Sequence, residues 1–83
     1  MNVKPIPRLH LFRIAQQVAK ARGEQLATTS QIANHFDVAT QHLTYVVSGM
    51  RRSHHIEQWV DQFIDTHLGD LLDYLLHAES KAA

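Results

Sequence analysis

With 83 residues, 45% of them hydrophobic and 19% charged, the chain has apolar material for one small core and lacks the composition of a disordered segment. It contains no cysteine, which excludes a disulfide framework and a thiolate zinc site, and no apolar run approaches the length of a membrane span. The zero net charge divides into +5 over residues 1–52 (seven lysines and arginines, two carboxylates) and −5 over residues 53–83 (one against six), a polarity that suits a face for a polyanion.

Met1–Pro7 carries two prolines and reads as a flexible, extended arm. Leu11, Ile14, Ala15 and Val18 recur at helical spacing and predict a first helix from about Arg8 to Arg22. Ile32, Ala33 and Phe36 mark a short second helix capped by Thr29 or Ser30. Asp37-Val38-Ala39 breaks the pattern, and Leu43, Val46 and Val47 mark a third helix that begins at Thr40. Ser53 is placed to cap a fourth, in which Ile56, Val60, Phe63 and Ile64 share a face with Trp59 beside them. Leu71, Leu72, Leu75 and Leu76 mark a fifth helix from about Asp70 to Glu79. Gly23, Gly49 and Gly69 each fall where a periodicity stops, as left-handed helix terminators do. No alternating run suggests a strand, and there is no internal repeat. The expected class is all-α, a compact bundle of five short helices in a single domain over residues 1–83.

Within that plan, Thr29–Gly49 resembles the helix-turn-helix of phage repressors, Cro proteins and their bacterial relatives. Those proteins share an alanine in the first motif helix, a turn residue four positions later, branched aliphatics in the second helix, and a small residue plus glycine at its exit. Ala33, Asp37, Leu43, Val46 and Ser48-Gly49 occupy those positions here. The likeness covers the motif well and the helical plan loosely, over about residues 8–66; Arg51-Arg52-Ser53 and the following Ile56 are also similar to small phage-encoded regulators of the group. Two departures stand out. The family usually has glycine where this chain has Asp37, and aspartate is among the residues most tolerant of the positive φ required there. The family's common glutamine at the start of the first motif helix is Thr29 here, the position of a phosphate anchor. The resemblance implies a lambda-repressor-like DNA-binding domain, operator DNA as partner, Thr40, Gln41 and Tyr45 as base readers, and Arg51 in the loop after the recognition helix.

The side chains themselves suit that role. A third helix with so narrow a buried face leaves Thr40, Gln41, Thr44 and Tyr45 on its free side. The major groove of DNA admits an α-helix and shows a distinct donor and acceptor code for each base pair. Gln41 can pair bidentately with adenine, Thr44 can offer a methyl or a hydroxyl, and Tyr45 can pack on a thymine methyl or donate to phosphate. Arg51 and Arg52, with Ser53 beside them, suit phosphates, which add affinity and salt dependence but no sequence information. Lys4 and Arg8, on or beside the arm, could reach the backbone or a minor groove.

Leu68, Leu71, Leu72, Leu75 and Leu76 form a stripe broader than a short terminal helix needs for its own core. Operators of this kind are two half-sites about one helical turn apart, which calls for a two-fold dimer. Residues 67–83 are therefore the expected dimerisation segment, with these leucines at the contact. Seven histidines form no helical His-x-x-x-His pair and no recognised His/carboxylate signature, so no metal is expected; His54 and His55 suit phosphate hydrogen bonds. Nothing resembles a nucleophile–base pair or a phosphate-cradling glycine loop, so neither catalysis nor a cofactor is expected. The reading is a homodimeric phage or prophage repressor acting on a pseudo-palindromic operator in the cytoplasm, at the nucleoid, with room for a regulatory protein partner. The alternative is an antitoxin-like regulator, or an anti-repressor or adaptor working through protein contacts of its C-terminal helices.

Overall fold

The computed structural model describes residues 6–82, with side-chain surroundings over residues 6–70. Four helices follow in order: α1 (Arg8–Ala21), α2 (Thr29–His35), α3 (Thr40–Val47) and α4 (His54–Ala82). No strand occurs among the described residues.

Helix α1 starts directly after Pro7, whose carbonyl accepts from the His10 and Leu11 amides at 3.0 and 3.1 Å. Proline suits this place because its missing N–H would have no intrahelical partner. Its inner face is Phe12, Ala15, Gln16 and Ala19 at spacings of three and four. Arg8 opens this helix as expected, but its side chain, expected to reach DNA with the arm, faces α4. Its Nη2 donates to the Glu57 carbonyl at 2.8 Å and pairs with Asp61.

Helices α1, α2 and α3 end in the same way. After α1, Gly23 takes φ +72°, its N–H donates to Lys20, and the Glu24 N–H reaches back to Ala19. After α2, Asp37 takes φ +56°, its N–H donates to Asn34, and the Val38 N–H reaches Ala33. After α3, Gly49 takes φ +83°, its N–H donates to Val46, and the Met50 N–H reaches Tyr45. Each is a Schellman closure, in which one left-handed residue lets two amides satisfy the carbonyls that a helix end leaves open. Asp37 is the only non-glycine among the described residues with positive φ, as expected of a residue standing where glycine is usual. Since its side chain is exposed, substitutions there test backbone strain almost alone. Asp37→Gly is expected to hold stability within about 1 kcal/mol of the parent, and Asp37→Val to lose about 1–3 kcal/mol, measured by urea unfolding. Equal midpoints for all three proteins would contradict the strained turn.

Two expectations about helix ends are corrected. The cap of α2 is Thr28, not Thr29 or Ser30. Gln31 decides this, because Thr28 Oγ1 accepts from the Gln31 amide at 3.1 Å while Gln31 Oε1 accepts from the Thr28 and Ala27 amides at 3.0 Å. That reciprocal capping box needs a glutamine or glutamate three residues after the cap, which only Thr28 has. Gly69 ends nothing: α4 runs through it, so the fourth and fifth predicted helices are one and the bundle has four helices among the described residues. A glycine inside a helix costs about 1 kcal/mol relative to alanine, which good helix formers on either side readily outweigh.

The core joins α1 to α4, with α3 resting on both and α2 on α3. Phe12, Ile32, Leu43, Val46, Val47, Val60 and Leu68 are its largest fully buried side chains. Trp59 is half-buried, stacked on Phe63 with ring centroids 5.0 Å apart and edge-on to Phe36 at 5.4 Å. The loop after α1 is tied down by His67, whose Nδ1 donates to the Phe63 carbonyl at 2.7 Å and whose Nε2 lies 2.9 Å from both Glu24 oxygens.

Candidate nucleic-acid interface

The buried stripe of α3 is Leu43, Val46 and Val47, and this inward set decides what the helix presents outward. Thr40 and Gln41 are exposed, and Thr44 and Tyr45 are half-exposed one turn further on. Four side chains at positions i, i+1, i+4 and i+5 share one face of a helix. The structure therefore brings together the residues that the sequence singled out.

Their hydrogen bonds divide the work between them. Gln41 Nε2 donates to the Tyr45 hydroxyl at 2.7 Å. Thr44 Oγ1 donates back to the Thr40 carbonyl at 3.0 Å, and Ser48 Oγ does the same to the Thr44 carbonyl at 2.8 Å. The Thr44 hydroxyl proton is thus committed to the helix backbone, and what Thr44 offers outward is its methyl group and lone pairs.

The arginine pair splits. Arg51 is exposed, and its guanidinium carbon lies 5.7 Å from the Tyr45 ring centroid, within cation–π range. Arg52 points the other way, 3.7 Å from Glu57, and with 88% of its side chain exposed that pair contributes little to folding. Glu57 is the better anchored partner, because its Oε2 also accepts from the Ser53 amide at 3.2 Å. Ser53 is half-buried just before α4, and His54 and His55 are exposed in the first turn of that helix. Arg52 and His54 line a polar cleft of about 390 Å³ with Arg8, Glu57, Gln58 and Asp61. The acidic residues of the C-terminal half therefore reach the basic side here, and the charge division in sequence is not a clean division in space.

Thr29 is the first residue of α2, and its hydroxyl oxygen accepts from Gln16 Nε2 at 3.1 Å. Gln16 is the one polar residue buried as a whole among the described residues, so this bond satisfies a group that burial would otherwise penalise. Thr29 also lines a polar cleft of about 210 Å³ with Gln17, Lys20 and Thr28. In sequence, Lys20 contributes only to the positive charge of the N-terminal half. Its place beside the start of α2 depends on how the chain folds back after α1, which no local pattern reveals.

Leu68, expected at a dimer contact, is 2% exposed within the single chain and belongs to its core. It extends the buried face of α4 that Val60, Phe63 and Ile64 begin. The side chains of Leu71, Leu72, Leu75 and Leu76, and the whole of Lys4, lie outside the described residues. Among the described residues, no three histidine, aspartate or glutamate side chains come together to hold a metal ion, and no helix is long and apolar enough to cross a membrane. No family model, curated protein or solved structure matches the chain.

Proposed function

We propose that this chain is a sequence-specific DNA-binding transcriptional regulator of the phage repressor and Cro kind, in which α2, the Asp37 turn and α3 form a helix-turn-helix. The observation that carries the reading is the left-handed Asp37 between two short helices, the second of which turns Thr40, Gln41, Thr44 and Tyr45 away from the core. A helix so exposed on one side can enter a major groove. Arg51 lies against its Tyr45, Arg52 follows in the chain, and Lys20 and the Thr29 hydroxyl sit at the start of α2, groups suited to phosphates.

The regulator acts as a homodimer on a pseudo-palindromic operator and represses by occupying promoter DNA. The supporting feature is the leucine pattern over residues 71–76, on the part of α4 that follows Leu68, the last core residue among the described ones. It needs neither a cofactor nor catalysis, and its place of work is the nucleoid.

Selection of bound duplexes from a random pool tests this reading. The expected product is a sequence repeated with two-fold symmetry, its half-sites about 10–10.5 base pairs apart or a multiple of that. A single unrepeated site would remove the dimer. Absence of any enriched sequence, together with co-purification of a second small protein, would favour an antitoxin or adaptor.

A further inference from the structure

We infer that Gln41, Tyr45 and Arg51 form one reading unit, in which Tyr45 is a positioning residue that aims the Gln41 amide at adenine; this rests on the DNA-binding reading above. A free glutamine on a helix surface samples many rotamers, and ordering it on contact with DNA costs entropy. Here Gln41 is already held, by the 2.7 Å bond from its Nε2 to the Tyr45 hydroxyl one turn along. Tyr45 is held in turn. Its carbonyl accepts from both the Met50 and Arg51 amides at 2.9 and 3.2 Å, and the Arg51 guanidinium lies over its ring.

Donor and acceptor counting then selects the base. A primary amide has two N–H donors and one carbonyl oxygen. With one N–H given to Tyr45, Gln41 retains one donor and one acceptor. Adenine shows an acceptor, N7, beside a donor, the N6 amino group, and matches that remainder one to one. Guanine shows two acceptors, N7 and O6, and would require the N–H that Gln41 already donates to Tyr45. Cytosine offers a donor alone, and thymine an acceptor with a methyl group. Thr44 does not compete, because its hydroxyl proton is on the Thr40 carbonyl.

The test uses the full chain and a duplex obtained by selection. The position read by Gln41 is the one whose preference disappears in Gln41→Ala. There the wild type is expected to favour adenine over guanine by roughly 5- to 150-fold, the span of a good bidentate contact, and to weaken when 7-deazaadenine removes N7. Tyr45→Phe keeps the ring and its contact with Arg51 but lacks the hydroxyl. It is expected to lose most of that preference and the sensitivity to 7-deazaadenine, while its melting temperature stays at the wild-type value. A merely structural role for Tyr45 would move the melting temperature. Wild-type preference retained in Tyr45→Phe, or guanine preferred at that position by the wild type, overturns the unit. A wild type that binds no duplex overturns the DNA-binding reading, and the unit falls with it.

Discussion

Truncating Phe12 to alanine is expected to remove about 3–5 kcal/mol of stability, the range for deleting a fully buried aromatic side chain. Phe12 is 2% exposed, and its ring lies 5.7 Å from that of Phe63, so the cavity would open where α1 meets α4. Small domains hold roughly 0.05–0.15 kcal/mol per residue, which for this chain is on the order of 4–12 kcal/mol in total. The variant should therefore be largely unfolded at ambient temperature or melt far below the parent, as followed by helical circular dichroism. Ile14→Ala on the exposed side of the same helix provides the control, expected within about 0.5 kcal/mol of the parent. Similar melting of Phe12→Ala and Ile14→Ala would mean that the α1–α4 seam is not the core.

The second large effect is on salt. Changing both Arg51 and Arg52 to alanine should weaken binding to every duplex and reduce the slope of log affinity against log salt by about 1.8, at about 0.9 for each phosphate no longer neutralised. Folding should be nearly unaffected, because both side chains are exposed and the Arg52–Glu57 pair is a screened surface interaction. Gln41→Ala should behave in the opposite way, losing discrimination at one base pair and leaving the slope in place. An unchanged slope in the double variant would show that neither arginine meets phosphate.

These expectations rest on features that differ in how far they can be read from sequence. The ends of α1, α2 and α3 are legible because Gly23, Asp37 and Gly49 are local signals for a local conformation. Gly69 carries the same local signal, yet α4 continues through it. A glycine inside a helix costs only about 1 kcal/mol, and Leu68, anchored in the core immediately before it, holds the helix up to that point. The α2 cap lies one residue before the expected pair because Thr28, Thr29 and Ser30 are all capable, and only the Gln31 side chain discriminates.

The site shows the same division. Periodicity is enough to place Gln41 and Tyr45 outward, since Leu43, Val46 and Val47 define the inward face. It cannot show that the Thr44 hydroxyl turns back on the helix, or that Gln41 and Tyr45 bond to each other. Arg8 sits beside the proline-rich arm in sequence, yet it is joined to Glu57 and Asp61 across about fifty residues of chain. Contacts of that span arise from how α1 lies on α4, and a single sequence without aligned relatives carries no trace of them.

The central claim is that α3 meets duplex DNA, and an equilibrium titration of the full chain into a labelled random-sequence duplex, repeated over a series of salt concentrations, tests it most directly. Binding is predicted at every low-salt point, weakening steadily as salt rises and reaching dissociation constants of roughly 10⁻⁴–10⁻⁶ M near physiological salt. No change in signal at any salt concentration, with the protein shown to be folded under the same conditions, would contradict the account.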